Sequence, residues 1–357
     1  MIQVGAVERI GQLGPEWNSL FAAGPGLQSR RVWFEATERA ALPEGATPHI
    51  VTVHQDGQPI ALLPLQTSGT SMPVSLTSPY TTEFQPLLAP GIDPARLEPV
   101  HIGAALGRHL RRWPLVRLEA LDPAWPLLTP LLAGLRQSGM TAQRFDHFGN
   151  WREDVAGLAW PDYLARRPGA LRETIRRRSR AAAKDPSIRL EIVDGTDGLT
   201  RAMDAYETVY AQSWKEPEPY PHFNEVLLPL AASLGTLRLA VMWQGDTPLA
   251  AQYWTVVDGV ATVLKLAHVD GAKALSPGTV LTAHVIHRLL EQETITRLDF
   301  GRGDDLYKKD WTTTRQQRIG VMIANPLRAA GLAEILRHWA GQARRTLLNR
   351  RRPRDQG

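Results

Sequence analysis

The chain has 357 residues, 43% hydrophobic and 22% charged, with a net charge of +5 and a pI near 9.6. That is the balance of an ordinary soluble globular protein of one large or two average domains. It has no cysteine, which excludes a disulfide framework, a thiolate metal site and a cysteine nucleophile. No apolar run of about eighteen residues and no basic start followed by a long apolar stretch is visible, so a cytoplasmic protein is expected.

Residues 15–24 and 29–42 have helical apolar spacing, the second after Ser29 as a candidate N-cap. Residues 49–66 form two alternating runs joined at Asp56-Gly57, the pattern of a hairpin. A helix after Pro94, a strand over 115–121, a helix stopped by Gly139 and a strand over 140–148 follow. The second half repeats the order loosely. Residues 160–184 are mostly helical with a break at Gly169, and a strand (187–194), a helix (199–214) and a helix containing Pro229 come next. A three-strand meander turns at Gly245-Asp246 and Asp258-Gly259; a helix opens at "SPGTV", a short strand ends at Gly301, and a last strand spans 317–325. The predicted division is 1–150, 151–325 and a tail 326–357. In the tail Leu332, Ile335, Leu336 and Trp339 mark an amphipathic helix expected to pack on the domain.

Two basic runs stand out. Residues 166–184 hold eight basic residues and one acid, and 344–354 hold six arginines. Each is either a solvated face or a surface for phosphate groups, nucleic acid or an anionic membrane.

The chemistry-bearing stretch is 276–311. Ser276, Pro277, Gly278 and Thr279 sit at a helix start, where unpaired N–H groups and the helix dipole can hold a pyrophosphate. The same tripeptide also starts ordinary helices without any ligand. One helix and one strand later comes "FGRGDDLYKKDW". Its Arg302-Gly303-Asp304 resembles an adhesion motif only by coincidence in a cytoplasmic protein. Asp304 or Asp305 can accept a proton from an amine, Tyr307 can donate one to a leaving group, and Lys308 can hold an anion or a developing oxyanion. Adjacent acids and lysines equally suit a charged helix start. Around them, Trp214, Lys215, Lys265, His268, Arg302 and Trp311 are candidates for the substrate-binding wall. His284 and His287 are three apart on one helix without a further ligand in view, so no metal is expected.

The meander, loop-helix, strand and helix order resembles a GNAT-type acyltransferase domain. "SPGTVL" followed by "LDFGRGDDLYKKDW", with "SWK" at 213–215, "WFEA" at 33–36 and "LLPL" at 62–65, is similar to the CelD/BcsL-type family, related to Fem peptidyltransferases. The resemblance implies an α/β fold of tandem GNAT-like domains, with mixed, mostly antiparallel sheets flanked by helices and a catalytic C-terminal half. It implies acyl-CoA, acetyl-CoA in the first instance, as donor to an amine or less often a hydroxyl, with the pyrophosphate at 276–280. An amino sugar or another envelope precursor is the expected source of the amine. The Arg/Gln-x-x-Gly-x-Gly/Ala loop of ordinary GNAT domains is absent, and Fem-type relatives use aminoacyl-tRNA, so a Fem-like ligase is the second expectation. A non-catalytic nucleic-acid-binding or scaffold protein is the third. Association with the inner face of the membrane is compatible with the basic runs.

Overall fold

Turn chemistry and two-residue alternation set most of the strands. The computed structural model describes residues 1–24, 26–68 and 72–350, with side chains up to residue 341. It starts with β1 (Ile2–Val7), α1 (Asn18–Ala23) and α2 (Arg31–Ala40). Helix α2 begins after Arg30, and Ser29 lies in the preceding single turn with its hydroxyl donating to the Gly26 carbonyl at 3.1 Å, so Ser29 is not the cap. β2 (Ala46–Gln55) and β3 (Gln58–Ser68) are joined by Asp56 and Gly57, whose φ values of 51° and 83° match the twist of a two-residue hairpin. Short strands β4 (Val74–Ser75) and β5 (Leu87–Leu88), α3 (Glu98–Leu110), β6 (Leu115–Leu121), α4 (Leu128–Gln137) and the long β7 (Thr141–Asp154) follow.

The second half contains α5 (Trp160–Ala165) and α6 (Gly169–Lys184), separated by the predicted break. β8 (Ile188–Val193), α7 (Leu199–Ala211) and α8 (Phe223–Ser233), with Pro229 inside it, lead into the meander β9 (Leu237–Gln244), β10 (Thr247–Val257) and β11 (Val260–His268). α9 (Pro277–Gln292), β12 (Arg297–Arg302), α10 (Lys308–Trp311), β13 (Thr314–Ala324) and α11 (Ala329–Arg350) complete the chain.

All thirteen described strands join one sheet in the order β1-β2-β3-β4-β6-β13-β7-β12-β11-β10-β9-β8, with β5 beside β3. The division drawn at residue 150 falls inside β7, which pairs with β13 along its length and with β12 at its end. The last strand, β13, crosses into the first half and lies antiparallel between β6 and β7. Its alternating Ile319, Val321 and Ile323 are buried in the core that also takes Ile102 and Leu106 of α3 and Leu131 and Leu135 of α4. Its Arg318 is buried between Glu83 at 2.6 Å and Asp122 at 3.0 Å. Burying that apolar stripe and pairing that guanidinium are what place β13 there.

The meander is covered on both faces. α9 packs over one, around Trp254, Val285 and Phe300, and α7 and α8 over the other, around Tyr206, Val209 and Leu228. A fourth cluster joins the halves through Trp33 of α2 and Phe223 of α8, whose rings meet edge-on at 5.5 Å. In α11 only Ile335 of the expected stripe is buried, while Leu332, Leu336 and Trp339 are exposed. The expected packing of that stripe on the domain therefore holds at one residue. The side chains of 342–350 and all of 351–357, which carry most of the arginine run, lie outside the described residues.

Candidate active site

The site exists because β11 and β12 part company. They pair in parallel only at Val260–Thr262 with Arg297–Asp299. Beyond Thr262 the edge of β11 that faces β12 has no strand partner among the described residues. The pairing of β10 with β11 slips between Tyr253 and Trp254, leaving Leu264 as an extra residue that bends β11 toward the gap. The sheet thus splays between the last strand of the meander and the strand after α9. Two cavities open along this edge, about 340 Å³ and about 200 Å³. They share Leu266 and Tyr307.

The first cavity is lined by Trp214, His268, Ser276, Pro277, Gly278, Thr279, Tyr307 and Trp311, all expected, and by Lys273 and Thr282, which were not. Ser276 takes a left-handed conformation (φ 51°, ψ 50°) that turns the chain into α9. The first helical bond runs from the Val280 N–H to the Ser276 carbonyl at 3.1 Å. The N–H groups of Gly278 and Thr279 fall before it, and Pro277 has none to satisfy. A Cβ on Gly278 would lie 3.2 Å from Cδ2 of His268, so the glycine admits that ring against the backbone. His268 in turn packs at 4.4 Å on the half-exposed Trp214.

The second cavity gathers Lys215, Lys265, Arg302, Asp305, Tyr307 and Lys308 from the second half and Pro79, Tyr80 and Thr82 from the first. Lys265 is buried, 2.5 Å from Glu218, with its ammonium over the Tyr80 ring at 4.0 Å. The Tyr80 hydroxyl donates to the same carboxylate at 2.8 Å. Burial pushes the Lys265 ammonium down to about 8, with Glu218 opposing. Burial also lowers Lys215, against the attraction of Glu218 and Asp305. Lys308 is buried and braces the loop, donating to the Arg302 carbonyl at 2.5 Å and pairing with Asp305 at 3.1 Å. Burial, with Asp305 nearby, raises the Tyr307 phenol, which therefore keeps its proton at neutral pH.

Of the two aspartates, only Asp305 lines the cleft. Asp304 lines neither cavity; Arg315 clamps it at 2.6 and 2.8 Å, and the Trp151 indole N–H donates to it at 3.2 Å. The bonds from Arg315 hold its carboxyl below the ordinary aspartate range. Of the two expected acids the structure thus brings only Asp305 to the cleft, Gly303, at φ 102°, turning the chain between Arg302 and Asp304. Tyr80 and Glu218 were missed. Glu218 lies three residues after the "SWK" stretch, a weak signal, and Tyr80 left none.

In the basic run, Arg167 is buried against Glu153 at 2.5 Å and drops out of the surface. Arg166, Arg172, Arg176, Arg177, Arg180 and Lys184 stay exposed. Among the described residues no helix is long and apolar enough to cross a membrane, and no group of three metal-ligating side chains occurs. His287 instead pairs with Glu291 at 2.8 Å.

A family model described as an acetyltransferase (GNAT) domain matches residues 169–309, less than half of the chain but including the second-half walls of both cavities apart from Trp311. No curated protein matches the sequence. Among solved structures, FemX is similar at 11% identity and a TM-score of 0.59, covering 89% of this chain and 96% of its own. The C-terminal domain of a protein from Agrobacterium fabrum, named as a lysylphosphatidylglycerol synthetase, is similar at 13% identity and 0.55, covering 90% and 94%. A tandem GNAT protein from the clavulanic acid biosynthesis pathway is similar at 14% identity and 0.52, covering 92% and 100%. The chain therefore has a GNAT-like mixed α/β fold, with a large, mostly antiparallel sheet flanked by helices.

Proposed function

We propose that the protein is an acyltransferase of the CelD/BcsL type, moving an acyl group from acyl-CoA, acetyl-CoA in the simplest case, to an amine. The observation that carries this reading is the pair of cavities meeting at Tyr307 on the unpaired edge of β11. Two substrates entering from opposite sides would touch at one point, as transfer requires. The N–H groups of Gly278 and Thr279, with Lys273 at the same cavity, hold the donor's phosphates. Asp305 takes a proton from the amine in the second cavity. The new C–N bond forms as the C–S bond breaks, free N–H groups on the β11 edge steady the oxyanion, and the Tyr307 phenol protonates the departing thiolate. The reaction belongs in the cytoplasm, where acyl-CoA is made.

A second reading replaces the donor with an aminoacyl-tRNA. The exposed arginines of α6 favour it, since α6 packs against α9, whose first turn opens the donor cavity. The solved neighbour named as a lysylphosphatidylglycerol synthetase makes an aminoacyl group a reasonable cargo. Melting shifts and thiol release with acetyl-CoA, longer acyl-CoAs and tRNA separate the readings. Stabilisation by a CoA ester together with thiol release in the presence of an amine supports the first. A shift with tRNA alone overturns it. Salt-sensitive binding of RNA or DNA with no turnover would make the protein a binding module instead.

A further inference from the structure

The second cavity holds more positive charge than its own structure uses. Lys215, Lys265, Arg302 and Lys308 line it, against one carboxylate in the wall, Asp305. Lys265 is matched by Glu218 behind the wall at 2.5 Å, and Lys308 by Asp305 at 3.1 Å. Lys215 and Arg302 form no ion pair among the described residues. Arg302 instead lies over the Phe148 ring at 4.5 Å, and the Lys215 ammonium sits 6.0 Å from the Trp214 ring. Lys215 is half-buried, and burial already disfavours its charged form. An ammonium partly withdrawn from water is unfavourable without a counter-ion, and the exposed Arg302 guanidinium has only the longer-range attraction of Glu119. The two come from separate segments, the loop after α7 and the end of β12, and converge on a space of about 200 Å³. The other polar groups in that wall, the hydroxyls of Tyr80, Tyr307 and Thr82, can donate to an oxyanion as well. A neutral amine would use none of this.

We propose that the second cavity takes an acceptor that carries an anionic oxygen group, phosphate or carboxylate, beside its nucleophile, and that Lys215 and Arg302 bind that group. The word acceptor rests on the acyl-transfer reading above; the anion site does not. Arg302 supplies a planar fork suited to two oxygens, and Lys215 supplies a point charge from a separate segment. Bridging the two segments, the anion would hold the acceptor's nucleophile toward Tyr307 and keep it out of the donor cavity. The donor's own phosphates go to the other side of Tyr307, beside Lys273, so the two anion sites can be told apart by mutation.

The test uses the full chain with inorganic phosphate and acetate as probes, at constant ionic strength balanced with chloride. Calorimetry or melting shifts should show binding of at least one probe to the wild type. Lys215→Met and Arg302→Met should each weaken it by about tenfold or more, and Lys273→Met should leave it. Arg302→Lys should retain part of the acetate affinity and less of the phosphate affinity. Melting in chloride alone checks that each variant is folded. Turnover with matched acceptors, an amino sugar and its phosphate monoester, an amino alcohol and the corresponding amino acid, then tells which anion is meant. The preferred anionic acceptor should lose about tenfold or more in kcat/KM in Lys215→Met, a larger factor than its neutral partner loses. Absence of probe binding in the wild type, or binding lost in Lys273→Met and kept in Lys215→Met, overturns the proposal. So does wild-type preference for the neutral acceptors. Probe binding at Lys215 and Arg302 with no transfer from any CoA ester or tRNA would leave the anion site standing and sink the acyl-transfer reading.

Discussion

Glu218→Gln tests the polar junction between the halves. It keeps the shape of the side chain and an acceptor for the Tyr80 hydroxyl, and removes the charge that faces Lys265 at 2.5 Å. Breaking a buried ion pair typically costs about 3–5 kcal/mol. Here that figure is capped, because Lys265 can release its proton. Burial holds the lysine at about 8 in the folded protein, against an ordinary 10.5. The folded chain therefore binds this proton less tightly than the unfolded one, and between those two values stability rises with pH. Without Glu218 the folded value drops further, and the variant loses no more than the free energy of deprotonating the wild-type lysine. That limit is about 1.4 kcal/mol at about pH 7, about 2.7 kcal/mol at about pH 6, and close to zero by about pH 9. Urea unfolding of both proteins at these three pH values, followed by tryptophan fluorescence, reads the deficit directly. A deficit that is constant with pH, or that grows as pH rises, would refute the picture of a buried ammonium held by Glu218.

Three further outcomes are expected. Tyr307→Phe should bind acetyl-CoA as the wild type does and lower kcat by about 10²–10⁴-fold in a thiol-release assay; unchanged turnover removes the phenol from the chemistry. Asp305→Asn should cut kcat severely. Asp304→Asn should keep turnover within about twofold and lose no more than about 1 kcal/mol, as befits an exposed pair with Arg315, and the reverse pattern in steady-state kinetics would reassign the base. Gly278→Ala must displace the His268 ring from 3.2 Å, so it should weaken acetyl-CoA in a binding titration while costing about 1 kcal/mol or less of stability; unaltered affinity would detach this turn from the donor.

The local features of the fold were legible, because each rests on neighbours in sequence. The turns at Asp56-Gly57 and Asp258-Gly259, the break before Gly169 and the start of α9 at Pro277 all appear where residue chemistry puts them. Of 305–308, Tyr307 shares a cavity with 276–279 while Asp305 and Lys308 line the neighbouring one, an adjacency that follows from the parallel pairing of β11 and β12 across one helix. Non-local choices were hidden. Tyr80 meets Glu218 across 138 positions, and no spacing rule links a loop tyrosine to a glutamate set among prolines. Asp304 and Asp305 are chemically identical, and only the backbone turn at Gly303, with Arg315 waiting on β13, separates a surface clamp from a cleft carboxylate. Arg167 read as part of a basic face because its partner Glu153 lies on the preceding strand, and burial cannot be seen in a charge run.

The position of β13 has a consequence for synthesis on the ribosome. A strand finishing at Ala324 fills the slot between β6 and β7, so the first half waits for the chain through residue 324 to emerge before its sheet can close. Until then β6 and β7 present unpaired edges, the kind of surface that other nascent chains can add to. Cutting the gene near residue 150 or 313 would leave the N-terminal fragment permanently in that state, whereas the same fragment supplied with a peptide spanning 314–324 should regain solubility. The late strand thus ties completion of the amino-terminal half to arrival of a segment that follows the carboxy-terminal meander.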